Sequence, residues 1–311
     1  MIQFLFTKRG HRAKRKDVFA EMSALLSEPP PRTRKSSPAK RGKVDGKTVK
    51  NIPYGAAKVM ARYFAQVYLA GCGIRGLSFK PMKELLGRGR ESPPFSPASG
   101  RIAPERMEVV YSWDGGYMIL AGSMRRQGGL GLAKAKTVDK KGIPLPVGDL
   151  DFVVVGPAFP PEPDLDALEG GRWSWLADLV KVELVSGGDR MRTYRFTATL
   201  PRTGQRAPMH SKMRRAAAKS GVPTPATEQV EMQVNLMRAD PAEMGATLMY
   251  ATGPGGWNAM MRTKAKRMGM KLNRYGLWDV ETGKHIAGRT EQSIYDAMDK
   301  TYKDPWERGK K

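Results

Sequence analysis

The sequence predicts an α+β protein, with a mixed β-sheet domain and flanking helices followed by a small, mostly helical domain. Three observations carry this. Short apolar runs rich in Val, Ile and Tyr, each bounded by Gly, Pro or Asp, fill the middle of the chain. From Pro241 onward the apolar spacing changes to that of helices. A length of 311 residues with 40% apolar content suffices for two cores of ordinary size.

Taken in order, residues 1–50 carry 14 Lys plus Arg against 4 acidic residues, include Pro29, Pro30 and Pro31, and beyond their first six residues hold only one short apolar segment, at 18–26. That composition predicts a basic, mostly flexible arm, either a solubilising tail or a strap on DNA phosphates. Pro53 starts a helix expected over 53–69, with Gly71 and Gly73 closing it. Residues 74–105, rich in Pro, Gly and Arg, are expected to form an insertion or long loop. Strands are expected at 107–113, 117–121, 149–155, 182–186, 191–200 and 230–237, with a helix at 173–180 among them. Helices follow at 241–250, 258–269 and 291–298, interrupted by a short strand pair at 276–279 and 285–287. The domain reading is an arm at 1–50, a sheet domain at 51–250 with insertions at 74–105 and 127–147, and a helical domain at 251–311.

The charge balance points to a partner. The chain has 54 Lys plus Arg against 30 Asp plus Glu, a net +24 spread along its length. Such a surface seeks a polyanion. No apolar run reaches the about 18 residues a membrane span needs, so nucleic acid is favoured over a membrane. Cys72 is the single cysteine, and His11, His210 and His285 are scattered, which excludes an internal disulfide and a Cys-based zinc site. An intracellular setting is expected, because the apolar start at residues 1–6 is too short for a secretion signal.

The chemistry is carried by two short motifs. Gly122-Ser123-Met124-Arg125-Arg126 closes one strand, and Gly148-Asp149-Leu150-Asp151 opens another. Residues two apart on a strand point the same way, so Asp149 and Asp151 present both carboxylates on one face. Opening a buried apolar strand, such a pair is costly without cations. Magnesium takes one or two carboxylates together with substrate phosphates. Gly122 and Ser123 let a triphosphate approach backbone N–H groups, and Arg125 and Arg126 offer forked donors to its oxygens. These parts fit phosphoryl transfer. A second Asp-x-Asp, Asp164-Leu165-Asp166, lies in a Pro-rich loop and is read as unrelated.

The pattern Gly-Ser, Arg-Arg, Gly-Asp-x-Asp resembles the palm motif of beta-type nucleotidyltransferases. Tyr250-Ala251-Thr252-Gly253-Pro254, then Asn258, Arg262 and the run from Met270 to Trp278, resembles the thumb of family X DNA polymerases, as do Thr290-Glu291 and the ending 302–308. Asn51-Ile52-Pro53 resembles the start of that family's palm. The likeness therefore covers about residues 51–308, and nothing in the sequence resembles the family's N-terminal lyase and helix-hairpin-helix modules. A minimal palm-plus-thumb enzyme, monomeric, is expected.

Carried over position by position, the resemblance implies a two-metal-ion phosphoryl transfer in which Asp149 and Asp151 bind both Mg²⁺ ions, with Mn²⁺ as a substitute. It implies that Gly122, Ser123, Arg126 and Gly148 hold the phosphates of an incoming dNTP, while Tyr250, Gly253 and Asn258 line its sugar and minor-groove edge. Arg262 would meet the template strand, and Lys264, Lys266, Arg267, Lys271 and Arg274 would add DNA contacts. Asn258 and Arg262 are i and i+4 on one helix face, which agrees with that pairing of roles. The resemblance also implies a cis peptide at Gly253-Pro254, a bond that proline makes accessible.

Departures from the family pattern are informative. The third metal-binding aspartate falls on Asn235, which carries no charge and cannot accept the primer hydroxyl's proton. Three readings follow: an introduced Asp→Asn change that traps a complex, which is preferred, a natural enzyme using Glu231 or Gln233 on the same strand face, or a natural binder without catalysis. Asn51 replaces a phosphate-contacting arginine, shifting that task toward Arg125, Arg126 or lysines of the 127–147 loop. Ala251 replaces a bulky aromatic, which would relax discrimination against ribonucleotides. The expected activity is gap-filling or short-patch DNA-directed synthesis. The alternatives are a template-independent or RNA-directed nucleotidyltransferase, and a catalytically inactive DNA-end binding protein.

Overall fold

The computed structural model describes residues 43–44, 47–48, 52–74, 78–81, 109–113, 115–129, 137–140, 142, 144–168, 174–201 and 227–309. Most of the expected arm, the greater part of the 74–105 insertion, the middle of the 127–147 loop, Asn51 and residues 202–226 lie outside the described residues.

The α+β class is observed. A long helix, α1 (Tyr54–Gly71), runs beneath a nine-stranded sheet, and a three-stranded sheet with helices follows in the C-terminal part. The large sheet contains β1 (Lys43–Val44), β2 (Lys47–Thr48), β3 (Ser78–Pro81), β4 (Val109–Trp113), β5 (Gly116–Leu120), β6 (Asp149–Val155), β7 (Val180–Ser186), β8 (Met191–Pro201) and β9 (Thr227–Ala239). Its path is β2-β1-β9-β6-β5-β4-β3, with β8 pairing β9 and β7 pairing β8. Strand β9 is the spine. It pairs antiparallel with β8 from Thr227 to Met237 and parallel with β6 from Gln233 to Ala239. Strands β1 and β2, inside the stretch read as an arm, form a short antiparallel pair whose β1 joins β9 at Glu231 and Val230.

Period-two alternation decides which face of the sheet does what. Leu150, Phe152 and Val154 of β6, with Val230, Met232, Val234 and Leu236 of β9, join the core beneath α1. Helix α1 begins directly after Pro53, its N-cap, and its Ala, Met and Lys residues favour helix. It buries Ala57, Met60, Ala61, Phe64, Ala65 and Tyr68. Phe64 is the centre of this packing, with its ring 5.7 Å from Phe152, 5.4 Å from Tyr68 and 5.3 Å from Phe196. Replacing such a buried ring by alanine costs about 3–5 kcal/mol. The intervening residues of β6 point the other way. Val153 and Val155 pack there with Ile119, Ala121, Met244 and Leu248, and Asp149 and Asp151 share their side of the strand.

The C-terminal part comprises α4 (Met244–Thr252), α5 (Gly255–Arg267), β10 (Met270–Asn273), β11 (Gly276–Asp279), β12 (His285–Ala287) and α6 (Glu291–Ala297). Two shorter helices precede it, α2 (Gly122–Arg126) and α3 (Ser174–Ala177). Trp257, Met261 and Ala265, spaced four apart on α5, pack with Met249, Leu272, Leu277, Ile294 and Tyr295 in a second core. Thr290 caps α6 by accepting a hydrogen bond from the Ser293 backbone at 3.0 Å. Gly245 brings α4 against the start of α6. A Cβ there would stand 2.1 Å from the Thr290 carbonyl carbon, so only glycine fits.

The structure differs from the expected elements in identifiable ways. The helix expected at 173–180 shortens to α3, because Val180 is already paired with Ala198 in the sheet. Strand β9 extends beyond 230–237 at both ends, since β8 and β6 flank it and recruit polar residues such as Thr227 and Arg238. Strand β10, not expected as a strand, pairs antiparallel with β11 from Met270 to Asn273.

Candidate active site

The parallel register of β6 and β9 sets Asp149 opposite Gln233 and Asp151 opposite Asn235. The two carboxylates and the amide therefore share one sheet face, on the α4 side. Asn235 is 7% exposed, and both ends of its amide are engaged. Its Nδ2 donates to Asp151 Oδ1 at 2.9 Å, while its Oδ1 accepts from Gln233 Nε2 at 2.9 Å and Thr193 Oγ1 at 3.2 Å.

Buried side by side, the carboxylates are under electrostatic stress. Burial pushes the Asp151 carboxyl up to about 7, Asp149 pushes in the same direction, and the Asn235 bond and Arg126 offset only part. Burial also raises Asp149, opposed by Arg126 and by a backbone hydrogen bond. Burial lowers the Arg126 guanidinium from its ordinary value against the pull of Asp151 and Asp149.

Gly122 sets the approach to this pair. Ala121 N donates to Asp151 O at 2.7 Å, and the chain then turns at Gly122 with φ +63°. A Cβ on Gly122 would lie 2.2 Å from Asp151 Oδ2, so glycine is demanded by both backbone and contact. Ser123 follows, its Oγ buried with no hydrogen-bond partner among the described residues. A buried orphan hydroxyl is the kind of group a ligand oxygen satisfies. Gly148 is held next to Asp149 by the bridge between Val147 and Ile52, whose N–H groups donate across it at 2.9 and 2.8 Å.

Residues from the C-terminal part converge on the same place. Arg126 donates to the Thr252 carbonyl. A Cβ at Gly253 would stand 3.6 Å from Arg126 Nη1 and 4.0 Å from Asn258 Nδ2. Asn258 Nδ2 donates to Tyr250 O at 2.9 Å, and Tyr250 is 40% exposed. The Gly253-Pro254 bond is cis, as expected. Ala251 is half-buried and packs with the cluster of Val153 and Leu248. The structure thus brings together Asp149, Asp151, Asn235, Gly122, Ser123, Arg126, Gly148, Gly253, Asn258 and Tyr250.

Arg125 does not join them. It is 1% exposed and donates to Glu291 through Nη1 at 3.0 Å and Nη2 at 2.7 Å, and to Thr252 Oγ1 at 2.9 Å. Successive residues on a helix point about 100° apart, so Arg125 faces inward while Arg126 faces the carboxylates. Arg308 Nη1 adds a bond to Glu291 Oε1 at 2.8 Å, and its guanidinium lies 5.0 Å from the Trp257 ring centre. Tyr302 Oη donates to Glu291 Oε2 at 3.2 Å. Sequence reasoning missed this cluster.

The basic residues of the C-terminal part divide. Arg262, Lys266 and Arg267 are exposed on α5. Lys264 Nζ donates to Asp299 O at 3.2 Å, Arg274 stacks 4.7 Å from the Tyr275 ring centre, and Lys271 is half-buried. Glu231 stands four residues along β9 from Asn235, about 13 Å away at strand spacing, and its carboxylate lies 3.9 Å from Arg195. That position does not complete the carboxylate set. Asp164 is spent on its own loop, accepting from the Asp166 backbone at 3.0 Å.

The donor set can be compared with what divalent cations need. No group of three or more His, Cys, Asp or Glu is assembled among the described residues. Two adjacent carboxylates of raised pKa fit one cation shared with phosphate oxygens. A third carboxylate is lacking, and the amide oxygen in its place is turned toward Gln233 and Thr193.

Residues 247–309 match the DNA polymerase beta thumb family. No curated protein gives a significant match to the sequence. No described helix is long and apolar enough to cross a membrane. The matched segment runs from within α4 to the last described residue, which takes in Tyr250, Gly253, Asn258 and Arg308 and implies DNA binding. The chain thus carries an α+β sheet domain ahead of a segment that matches the family X polymerase thumb, which supports a family X polymerase-like protein.

Proposed function

We propose that this chain is a DNA-directed DNA polymerase of family X that adds dNTPs to a primer 3′ end, in gap-filling or short-patch synthesis. The observation that carries the reading is the shared face of Asp149 and Asp151, with the orphan Ser123 hydroxyl and Arg126 beside it. Asp149 and Asp151 would hold a Mg²⁺ or Mn²⁺ ion, which when bound neutralises the carboxylates and the triphosphate oxygens together. Ser123, Arg126 and the Gly148 backbone hold the β- and γ-phosphates. Tyr250, Gly253 and Asn258 fix the sugar and base edge, and Arg262 orients the template strand. Positioning and charge account for most of the rate in such a reaction.

Asn235 favours a second reading. Its neutral amide donates to Asp151, the reverse of what a metal-binding carboxylate does, and offers no base for the primer hydroxyl. The chain as it stands then binds DNA ends and nucleotide without turning over. Primer extension in Mg²⁺, with and without template, on this chain and on Asn235→Asp separates the readings. Template-directed extension that rises in Asn235→Asp supports the polymerase. Extension that ignores the template supports a terminal transferase, and none in either form leaves a DNA-end binder.

A further inference from the structure

The two oxygens of Asp151 meet different surroundings. Oδ1 accepts from Asn235 Nδ2 on β9 at 2.9 Å, while Oδ2 lies toward α2, where a Cβ on Gly122 would come within 2.2 Å of it. The Asn235 amide has one accepting end and one donating end. Its accepting end is engaged twice, by Gln233 Nε2 at 2.9 Å and by Thr193 Oγ1 at 3.2 Å. Turning the amide over would lose both bonds and set Asn235 Nδ2 against Gln233 Nε2, donor against donor. These two neighbours therefore decide that an N–H, and not an oxygen, faces Asp151. No third carboxylate joins the pair among the described residues, and Glu231, on the same face of β9, lies 3.9 Å from Arg195.

From this arrangement we infer that the site takes a nucleoside triphosphate with one divalent cation and excludes a second, and that Gln233 and Thr193 are the positioning residues responsible. The inference rests on the nucleotide-binding reading above and adds to it the number of ions and the residues that set that number. Asp149 and the Asp151 oxygen that faces Gly122 would hold the one cation, on the side of the Ser123 hydroxyl, so that it belongs with the phosphates. On the other side of Asp151, where the family pattern has a third carboxylate, a cation would meet the hydrogens of Asn235 Nδ2. Hard cations take oxygen ligands, and an amide nitrogen offers none. Groups that orient a metal site's ligands change its affinity by about 10-fold to 100-fold when replaced.

The test counts ions and needs no turnover. The full chain is mixed with gapped DNA and a dNTP analogue whose α,β-bridging oxygen is replaced by NH, and Mn²⁺ is titrated. The electron paramagnetic resonance signal of free Mn²⁺ gives the ions bound, and equilibrium dialysis of the labelled analogue gives the nucleotide bound. The expected result is one Mn²⁺ per bound nucleotide in the unmodified chain and two in Asn235→Asp. In the double variant Thr193→Val, Gln233→Leu, a second Mn²⁺ should bind about tenfold or more tightly than any second ion on the unmodified chain. Circular dichroism checks folding, and Thr193→Val alone, which keeps the side chain's shape, serves if the double variant does not fold. Two ions on the unmodified chain overturn the inference. One ion in Asn235→Asp overturns the assignment of the exclusion to position 235, and a folded release variant that still rejects the second ion overturns the role of Gln233 and Thr193. Failure to bind the Mn²⁺-nucleotide complex at all refutes the nucleotide-site reading itself.

Discussion

Arg125 and Glu291 form a two-pronged buried ion pair, both terminal guanidinium nitrogens meeting both carboxylate oxygens, between α2 and the start of α6. The neighbour of Arg125 on α2 faces the candidate metal site, so this pair ties the site's scaffold to the thumb. Arg308 closes the arrangement from the C-terminal end.

Removing one partner of a buried pair leaves the other charge uncompensated. Glu291→Gln is expected to destabilise the protein by about 3–5 kcal/mol, read from the denaturant midpoint. The pH dependence has a definite sign. Burial alone would raise the Glu291 carboxyl, but Arg125 and Arg308 outweigh it and hold it below the usual carboxylate range. Its contribution is therefore full above about pH 4.3, the ordinary glutamate value, and is lost as pH falls toward the folded-state value. Stability should drop more steeply between about pH 5 and 2 in the unmodified chain than in Glu291→Gln. Parallel pH profiles would contradict the pairing.

Asp149 and Asp151 carry a prediction about metal and nucleotide. Mg²⁺ with a dNTP should raise Tm, by the equivalent of about 2.7 kcal/mol at a hundredfold excess over Kd. Asp149→Asn and Asp151→Asn should each lose that shift while remaining folded without ligand, because neutralising a stressed carboxylate relieves its burial penalty. Calorimetry with and without ligand reads this, and an undiminished shift in either variant would remove the pair from the site.

DNA affinity should fall steeply with salt, as phosphate contacts release counterions. Lys266→Ala and Arg267→Ala are each expected to reduce the slope of log affinity against log salt by about 1. Lys264→Ala should reduce it less, since that ammonium is already held by the Asp299 carbonyl. Fluorescence anisotropy across about 50–200 mM salt measures the slopes, and a flat response would contradict the phosphate contacts.

Much of the site was legible because it is local. The Asp149 and Asp151 pair follows from strand period alone, and Asn258 and Arg262 follow from helix spacing. The convergence of Gly253, Arg126 and Asn258 required the family resemblance, since nothing local links residues so distant in sequence. Arg125 was misread as a phosphate donor for the same reason: an arginine's partner 166 positions away leaves no trace in its neighbours. The fuller extent of β9 was hidden because Glu228 is a poor strand former, and it is pairing with β8 that keeps this end extended.

The alternation along β6 has a consequence for how errors in folding would be felt. Phe152 and Asp151 are neighbours pointing to opposite sides, so a slip of one residue against β9 would drive both acids into the aromatic cluster and turn the phenyl ring outward. A misaligned molecule would lose its chemistry and its solubility in the same event, with no half-competent form between. Quality control of the folded population is thus written into the strand that does the work.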